Sequence, residues 1–209
     1  MESTSRAGAD VECWKISVDL SGQGAHFEPE GRTDSVLCQY RVRHALITKG
    51  ESPLRALRFK QIRKSRDYDL LWSGWSDVLL VSSRLVSVLE SEGASGWRTY
   101  QVRLASKSRV PWRGYSGLAI TGRAGPVQWK RSERVWRPPP VPHGSGHWRL
   151  RGLWFDVKTW DGSDLFLLKD GGIMATDRIV RAMRRAKLKG IEFFRQSEYE
   201  IRESTALGR

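Results

Sequence analysis

The chain repeats itself. Leu79–Tyr100 (LLVSSRLVSVLESEGASGWRTY) and Ile173–Phe194 (IMATDRIVRAMRRAKLKGIEFF) align without a gap at an offset of 94 residues. Arg84 falls on Arg178, Leu85 on Ile179, Val86 on Val180, Leu89 on Met183, Gly96 on Gly190, Trp97 on Ile191 and Tyr100 on Phe194. Ser82 falls on Thr176, and both residue types suit a helix N-cap. Identities alone are few. A cap, an apolar face, a closing glycine and an aromatic exit strand that agree together point to one unit folded twice.

The second copy sits in the longer stretch Gly152–Tyr199, which reads as an aromatic-rich strand, a turn at Asp161-Gly162, a capped helix and a second strand. Asp177 follows the cap, where the positive end of the helix dipole favours a carboxylate. Ile179, Val180, Ala182, Met183 and Ala186 recur at spacings of three and four and share one face, while Arg178, Arg181 and Arg185 share the other. Gly190 closes the helix. Glu90 and Glu92 stand in the first copy where the second has Arg184 and Ala186, so the scaffold is duplicated and the surface is not.

The rest of the chain supplies strands for these helices to pack on. Trp14, Ile16, Val18 and Leu20 alternate with polar residues, as do Val36, Cys38, Tyr40 and Val42 leading to Ala45–Thr48, and Leu54–Ile62 reads as a further strand. Ser21–Gly24 reads as a turn, since Gly22-Gln23-Gly24 lacks the third glycine of a dinucleotide cradle. The expected class is α+β, mainly antiparallel strands with two helices from the repeated strand-helix-strand unit. Residues 106–136 read as loops rich in Gly, Arg and Trp. Pro138–Gly146 (PPPVPHGSG) reads as a linker, which divides the chain into a tail (1–10), an N-terminal lobe (11–137), the linker (138–146) and a C-terminal lobe (147–204).

Net charge is +13, and residues 1–35 hold seven acids against three bases, so the remainder carries +17. Such a surplus suits nucleic acid, an anionic membrane or an acidic protein. No nucleic-acid module accompanies it, and Lys60–Arg66 reads as a solvated strand end. No apolar run approaches the roughly 20 residues that cross a bilayer, and Met1–Asp10 does not resemble a signal peptide, so a cytoplasmic location is expected. Cys13 and Cys38 read as reduced, partly buried thiols, with a single bridge between them as the alternative.

Catalytic chemistry finds little support in the residues. Asp156, Asp161, Asp164, Asp170 and Asp177 cluster in sequence, but the turns and the helix start give most of them local work in turns and caps. His143 and His147 flank a Gly-Ser bend that would not aim both rings at one metal. No nucleophile elbow, phosphate loop or metalloprotease motif occurs, so no enzyme, cofactor or metal is expected. Trp112, Trp129 and Trp136, interleaved with arginines, are candidates for a binding surface, because Trp and Arg dominate protein interface hot spots and also stack on single-stranded nucleic acid.

One resemblance bears on function. The turn Trp160–Phe166 (WDGSDLF), the helix start Ala175–Arg178 and the exit Leu188–Phe193 resemble the carboxy-terminal signature of bacterial immunity proteins that accompany polymorphic toxins, a family that includes the double-CxxCG immunity proteins of myxobacteria. Asp77–Trp97 adds a weaker second match. Trp160, Asp161, Gly162, Asp164, Phe166 and Gly190 carry the signature. The chain has no CxxC, so the metal-binding feature of that subfamily does not carry over. The resemblance implies a protein that silences a cognate toxin by stoichiometric occlusion, with Trp112, Trp129, Trp136, Arg178, Arg181 and Arg185 as contact candidates and an acidic face on the toxin. The alternative is a basic nucleic-acid-binding protein.

Overall fold

The structure, a computed structural model, describes residues 12–20, 26–31, 35–53, 55–63, 67–75, 78–106, 112–139, 141–170 and 172–208. The expected tail, the turn at Ser21–Gly24, the last three residues of Lys60–Arg66 and residues 107–111 of the expected loops lie outside them. The first half runs β1 (Cys13–Val18), β2 (His26–Pro29), α1 (Val36–Arg43), β3 (Leu57–Arg63), β4 (Leu70–Trp72), β5 (Leu79–Ser82), α2 (Ser83–Ser91) and β6 (Trp97–Tyr100). The chain continues through β7 (Val102–Ala105), β8 (Tyr115–Ile120), β9 (Gly122–Pro126), β10 (Glu133–Arg137) and β11 (His147–Arg151). It ends with β12 (Leu165–Lys169), β13 (Gly172–Thr176), α3 (Asp177–Arg185), β14 (Ile191–Arg195), β15 (Glu200–Arg202) and α4 (Glu203–Ala206).

The class is α+β with mostly antiparallel pairing, as expected. The repeated unit appears in register: β5, α2 and β6 correspond to β13, α3 and β14 at the offset of 94, helix end to helix end. Gly96 and Gly190 both adopt positive φ, +84° and +81°. A Cβ on Gly96 would lie 2.0 Å from the carbonyl oxygen of Leu165, and one on Gly190 would lie 2.5 Å from that of Leu70, so glycine is required at both positions.

The halves exchange a strand. A seven-stranded sheet has the order β6-β8-β5-β4-β2-β3-β7, and a five-stranded sheet the order β14-β1-β13-β12-β9. In the first, β8 from the later half lies between β5 and β6; in the second, β1 from the earlier half lies between β13 and β14. The registers agree residue for residue. Ser82 pairs with Tyr115 as Thr176 pairs with Cys13, and Trp97 pairs with Ile120 as Ile191 pairs with Val18. β2 lies parallel to β4 as β9 lies parallel to β12. The body is therefore an intertwined pseudo-twofold, which corrects the reading of two lobes joined by a linker. The strands that flank the Pro/Gly segment, β10 and β11, instead pair directly as a hairpin, Arg137 opposite His147.

Burial explains which strands the sequence pattern could reveal. A central cluster joins both halves, with Ile16, Leu79, Val81, Leu118, Ile120 and Ala175 facing Leu85, Leu89, Ile179 and Met183 of the helices. The next residues along the strands turn the other way: Leu80 and Ala119 enter a second cluster around Phe27 and Phe59, and Cys13 and Met174 enter a third around Phe155 and Phe166. A strand apolar on both faces shows no alternation. That is why β8 lies where a loop was expected for 106–136; β9 (GRAGP) and β10 (ERVWR), also expected as loops, carry too few apolar residues to show a pattern.

Two other expectations change. Val36–Val42 is helix α1, continued by a π-helical segment His44–Lys49, and not a strand. The hydroxyl of Ser35 accepts the Cys38 N–H at 3.1 Å, and Cys38, Val42 and Leu46, spaced by four, form the stripe that meets the second cluster. Val36 and Tyr40 are exposed, so their period of two was fortuitous. Residues 152–160 form no strand: Leu153 and Phe155 enter the third cluster, and Asp156 caps a 3-10 turn, Val157–Thr159, by accepting the Lys158 N–H. Both cysteines are free thiols.

Candidate functional site

The family-like signature builds the seam between the halves. Asp164 accepts from Thr176 Oγ1 at 2.9 Å, Arg178 Nη2 at 2.7 Å and the Ser95 N–H at 3.0 Å. Thr176 holds the cap position, yet its hydroxyl serves Asp164 instead of the helix. Burial pushes the Asp164 carboxyl up, but the bonds from Ser95, Arg178 and Thr176 outweigh it and hold the carboxyl below its usual range. Asp161 accepts from the Ser163 and Arg123 N–H groups. Trp160 donates to the Ser163 carbonyl and packs 5.4 Å from the fully buried Phe166. Gly162 turns the chain with φ +80°. These residues shape the body and leave little to offer a partner.

The first half mirrors this arrangement through a residue that sequence reading missed. Asp69 accepts from Ser82 Oγ at 2.7 Å, Arg84 Nη1 at 3.3 Å and the Lys189 N–H at 2.8 Å. Ser95 and Lys189 are themselves 94 residues apart, so each aspartate binds its own cap and arginine and the turn of the opposite half. The signal was present but displaced: Leu70 and Leu165 occupy equivalent places at an offset of 95, because the β12–β13 turn is one residue shorter than the β4–β5 turn.

The arginines of α3 are only partly available. Arg178 is held by Asp164 and by the Glu92 carbonyl, Arg185 meets the Glu92 carboxylate at 2.8 Å, and Arg181 pairs with Asp177 at 3.0 Å. Glu92, the acid that replaces Ala186, therefore ties α2 to α3. Arg181 and Arg185 remain exposed at their tips. Arg184 lies 4.3 Å over the Trp14 ring, whose Nε1 donates to Asp177.

The three candidate tryptophans do not come together. Trp112 donates to Gln61 Oε1 at 3.0 Å and wedges between Phe27 and Tyr115, and Trp129 packs against the third cluster; both are framework. Trp136 is different. It is 50% exposed on β10, directly opposite Trp148 of β11, which is 38% exposed, with ring centroids 5.1 Å apart. Arg134 lies 4.1 Å over the Trp148 ring, and a Cβ on Gly146 would strike the Trp136 indole at 2.2 Å. Trp148, not singled out from sequence, could have been found by reading ERVWR and HWRLR as two strands of one hairpin.

The other face of this three-stranded sheet, β10-β11-β15, is ionic. Glu200 accepts from Arg137 Nε at 2.9 Å and Arg151 Nε at 3.0 Å, with Arg149 3.8 Å away. The Arg137 hydrogen bond, helped by Arg151 and opposed by desolvation, holds the Glu200 carboxyl down at about 2. Arg151 also pairs with Glu133, while Arg134, on the indole face, pairs with Glu203. The result is a braced, arginine-rich hairpin with two indoles standing out of it. No protein-family model matches the chain, and no curated protein matches it significantly. No described helix is long and apolar enough to cross a membrane.

Proposed function

We propose that this protein is a stoichiometric protein inhibitor of the immunity type, which binds a cognate toxin domain through the hairpin β10–β11. The observation that carries the reading is the exposed Trp136–Trp148 pair, held in place by Arg134 and Gly146 on a sheet braced by Glu200. Large rigid side chains ordered before binding lose little entropy on association, which is what an interface anchor requires. The surplus of positive charge fits a toxin with an acidic face and would speed encounter more than it tightens the complex. The likeness of the 160–193 segment to immunity proteins supports the same class. The purified protein should form a one-to-one complex with the toxin domain encoded beside it, seen as a shift in sizing chromatography, and co-expression should restore growth. Failure of both would remove the proposal.

A second reading rests on the β3–β7 edge of the seven-stranded sheet. Arg58 of β3 lies directly across from Arg103 of β7, with Lys60 two residues on, all exposed. Exposed cations on neighbouring strands suit the phosphates of a nucleic-acid backbone. Tight binding of generic oligonucleotides near 0.15 M salt, falling steeply as salt rises, would favour this reading.

A further inference from the structure

Strand β10 is an edge of the three-stranded sheet, and the register fixes which of its backbone groups face outward. The Gly152 N–H donates to the Tyr199 carbonyl, so Gly152 with Tyr199, and then Leu150 with Ile201, are the hydrogen-bonded pairs between β11 and β15. Bonding alternates along a strand. Arg149 and Arg151 therefore turn their backbone groups to β10, where they bond Val135 and Glu133. Arg134 and Trp136 are left pointing their N–H and C=O groups away from the sheet, and their outward groups meet no partner among the described residues. These are also the β10 residues whose side chains lie on the indole face. The strand keeps an unbroken register with β11, and all its residues but Val135 are exposed. The β9 edge of the five-stranded sheet is treated differently. There the Arg123 N–H donates to Asp161 at 2.8 Å, the Arg123 carbonyl accepts the Asp161 N–H at 3.1 Å, and the Gly125 N–H donates to Thr159 Oγ1 at 2.8 Å. A covered edge cannot accept another strand, whereas an open one is a template for it.

We infer that the toxin domain docks by strand addition: an extended segment of it lies along β10 as a fourth strand, and its backbone bonds the outward groups of Arg134 and Trp136. The inference rests on the function proposed above and states how the hairpin serves it. Main-chain bonds supply affinity in this mode, and the flanking side chains supply selection. The residue of the added strand opposite Trp136 falls on the indole face, where an apolar or aromatic side chain makes the favourable cross-strand pair. Its two neighbours fall on the face of Glu133 and Arg137, which suits polar side chains. Pro138, the next outward position, has no N–H to give, so the run of outward donors ends at Trp136. The occupant is thus a short extended segment that alternates polar, apolar and polar.

The test uses the whole chain, alone and with the toxin domain encoded beside it. Hydrogen exchange of the free chain, resolved by residue, should find the Arg134 and Trp136 amides unprotected and the Val135 amide, which bonds β11, protected. Equal protection of all three would overturn the inference before any partner is added. In the complex the Arg134 and Trp136 amides should become protected. Arg134→Pro removes an outward N–H and keeps the pairing with β11, as proline on an edge strand does. Compared with Arg134→Ala, which loses the same side chain, it should weaken the complex by about tenfold or more, the effect of leaving a carbonyl without its donor. Thr99→Pro is the control. The Thr121 N–H bonds the Gly96 carbonyl, so the Thr99 N–H points out of the β6 edge in the same way, and this variant should bind as the parent does. Circular dichroism and melting show which variants are folded; if Arg134→Pro is not, protection of the two amides in the parent complex decides. A folded Arg134→Pro protein that binds as well as Arg134→Ala, or a complex in which neither amide gains protection, would overturn strand addition and leave the inhibitor reading in place. Absence of any complex would remove both. A parent dimer that Arg134→Pro converts to monomer would give the edge to a second copy and overturn the inference as well.

Discussion

Arg84 and Arg178 each reach from their own helix to the end of the other: Arg84 donates to the carbonyls of Ala186 and Lys187, and Arg178 donates to that of Glu92. Ala186 and Glu92 are equivalent positions of the repeat, so the contact is reciprocal. Cationic groups at helix C-termini are favourable, and here the interaction also joins the two halves. With the exchanged strands β1 and β8, it makes the duplicated unit one cooperative body.

The aspartates beneath these arginines should therefore matter more than the arginines. Asp69→Ala strands the Ser82 hydroxyl, the Lys189 N–H and Arg84 around a buried site, and should cost about 3 kcal/mol in urea unfolding. Arg84→Ala, at a half-exposed position, should cost about 1 kcal/mol or less. Equal costs would show that the seam is not organised around Asp69.

Gly96→Ala and Gly190→Ala should each destabilise by about 3 kcal/mol or more, since the strain of positive φ adds to a clash with a backbone oxygen. Gly93→Ala, with φ +59° and open space around its Cβ, should cost only about 1 kcal/mol. Thermal melting of the three variants checks the order.

Met183 is 3% exposed and faces the central cluster, so Met183→Asp should cost about 4 kcal/mol or prevent folding. Arg181→Glu, on the opposite face, sets two acids side by side with Asp177 and should cost about 0.5 kcal/mol. Indistinguishable melting temperatures for Met183→Asp and the parent would contradict the packing of α3.

This contrast also marks what was legible in the sequence. Helix α3 could be read because its cap, its apolar stripe and its closing glycine are local signals, and the repeat carried that reading to α2. Helix α1 could not, because Val36 and Tyr40 imitate a strand while the residues that decide its packing, Cys38, Val42 and Leu46, are spaced by four across the change to a π-helical segment. Strand exchange is written in no local pattern; it depends on pairings distant in sequence, such as Cys13 with Thr176. Of the candidate contacts, Trp136 could be placed on the surface only once its partner Trp148 was known. Asp161 and Asp164 of the signature stand at the seam, and their chemistry serves it.

Glu200 gives the fold a dependence on pH. Its carboxyl, held at about 2 by Arg137 and Arg151 against an ordinary 4.5, is lower in the folded than in the unfolded state. Its contribution is therefore complete above about pH 4.5 and is lost as the pH falls toward 2. Glu200→Gln should lower the melting temperature at pH 7 and reduce the gap to the parent between pH 4.5 and 2. A gap that stays constant over that range would show that Glu200 is not held ionised by its arginines.

The dissociation rate of the complex with the cognate toxin domain, compared between the parent and the Trp136→Ala/Trp148→Ala double variant, tests the central claim most directly. Removing two exposed indoles should leave the fold intact, leave the association rate nearly unchanged and speed dissociation by about 30-fold or more, the effect of losing roughly 2 kcal/mol at an interface anchor. Arg181→Glu should do the reverse, slowing association with little change in dissociation. A double variant that releases the toxin domain at the parent's rate would contradict the assignment of the hairpin as the binding surface.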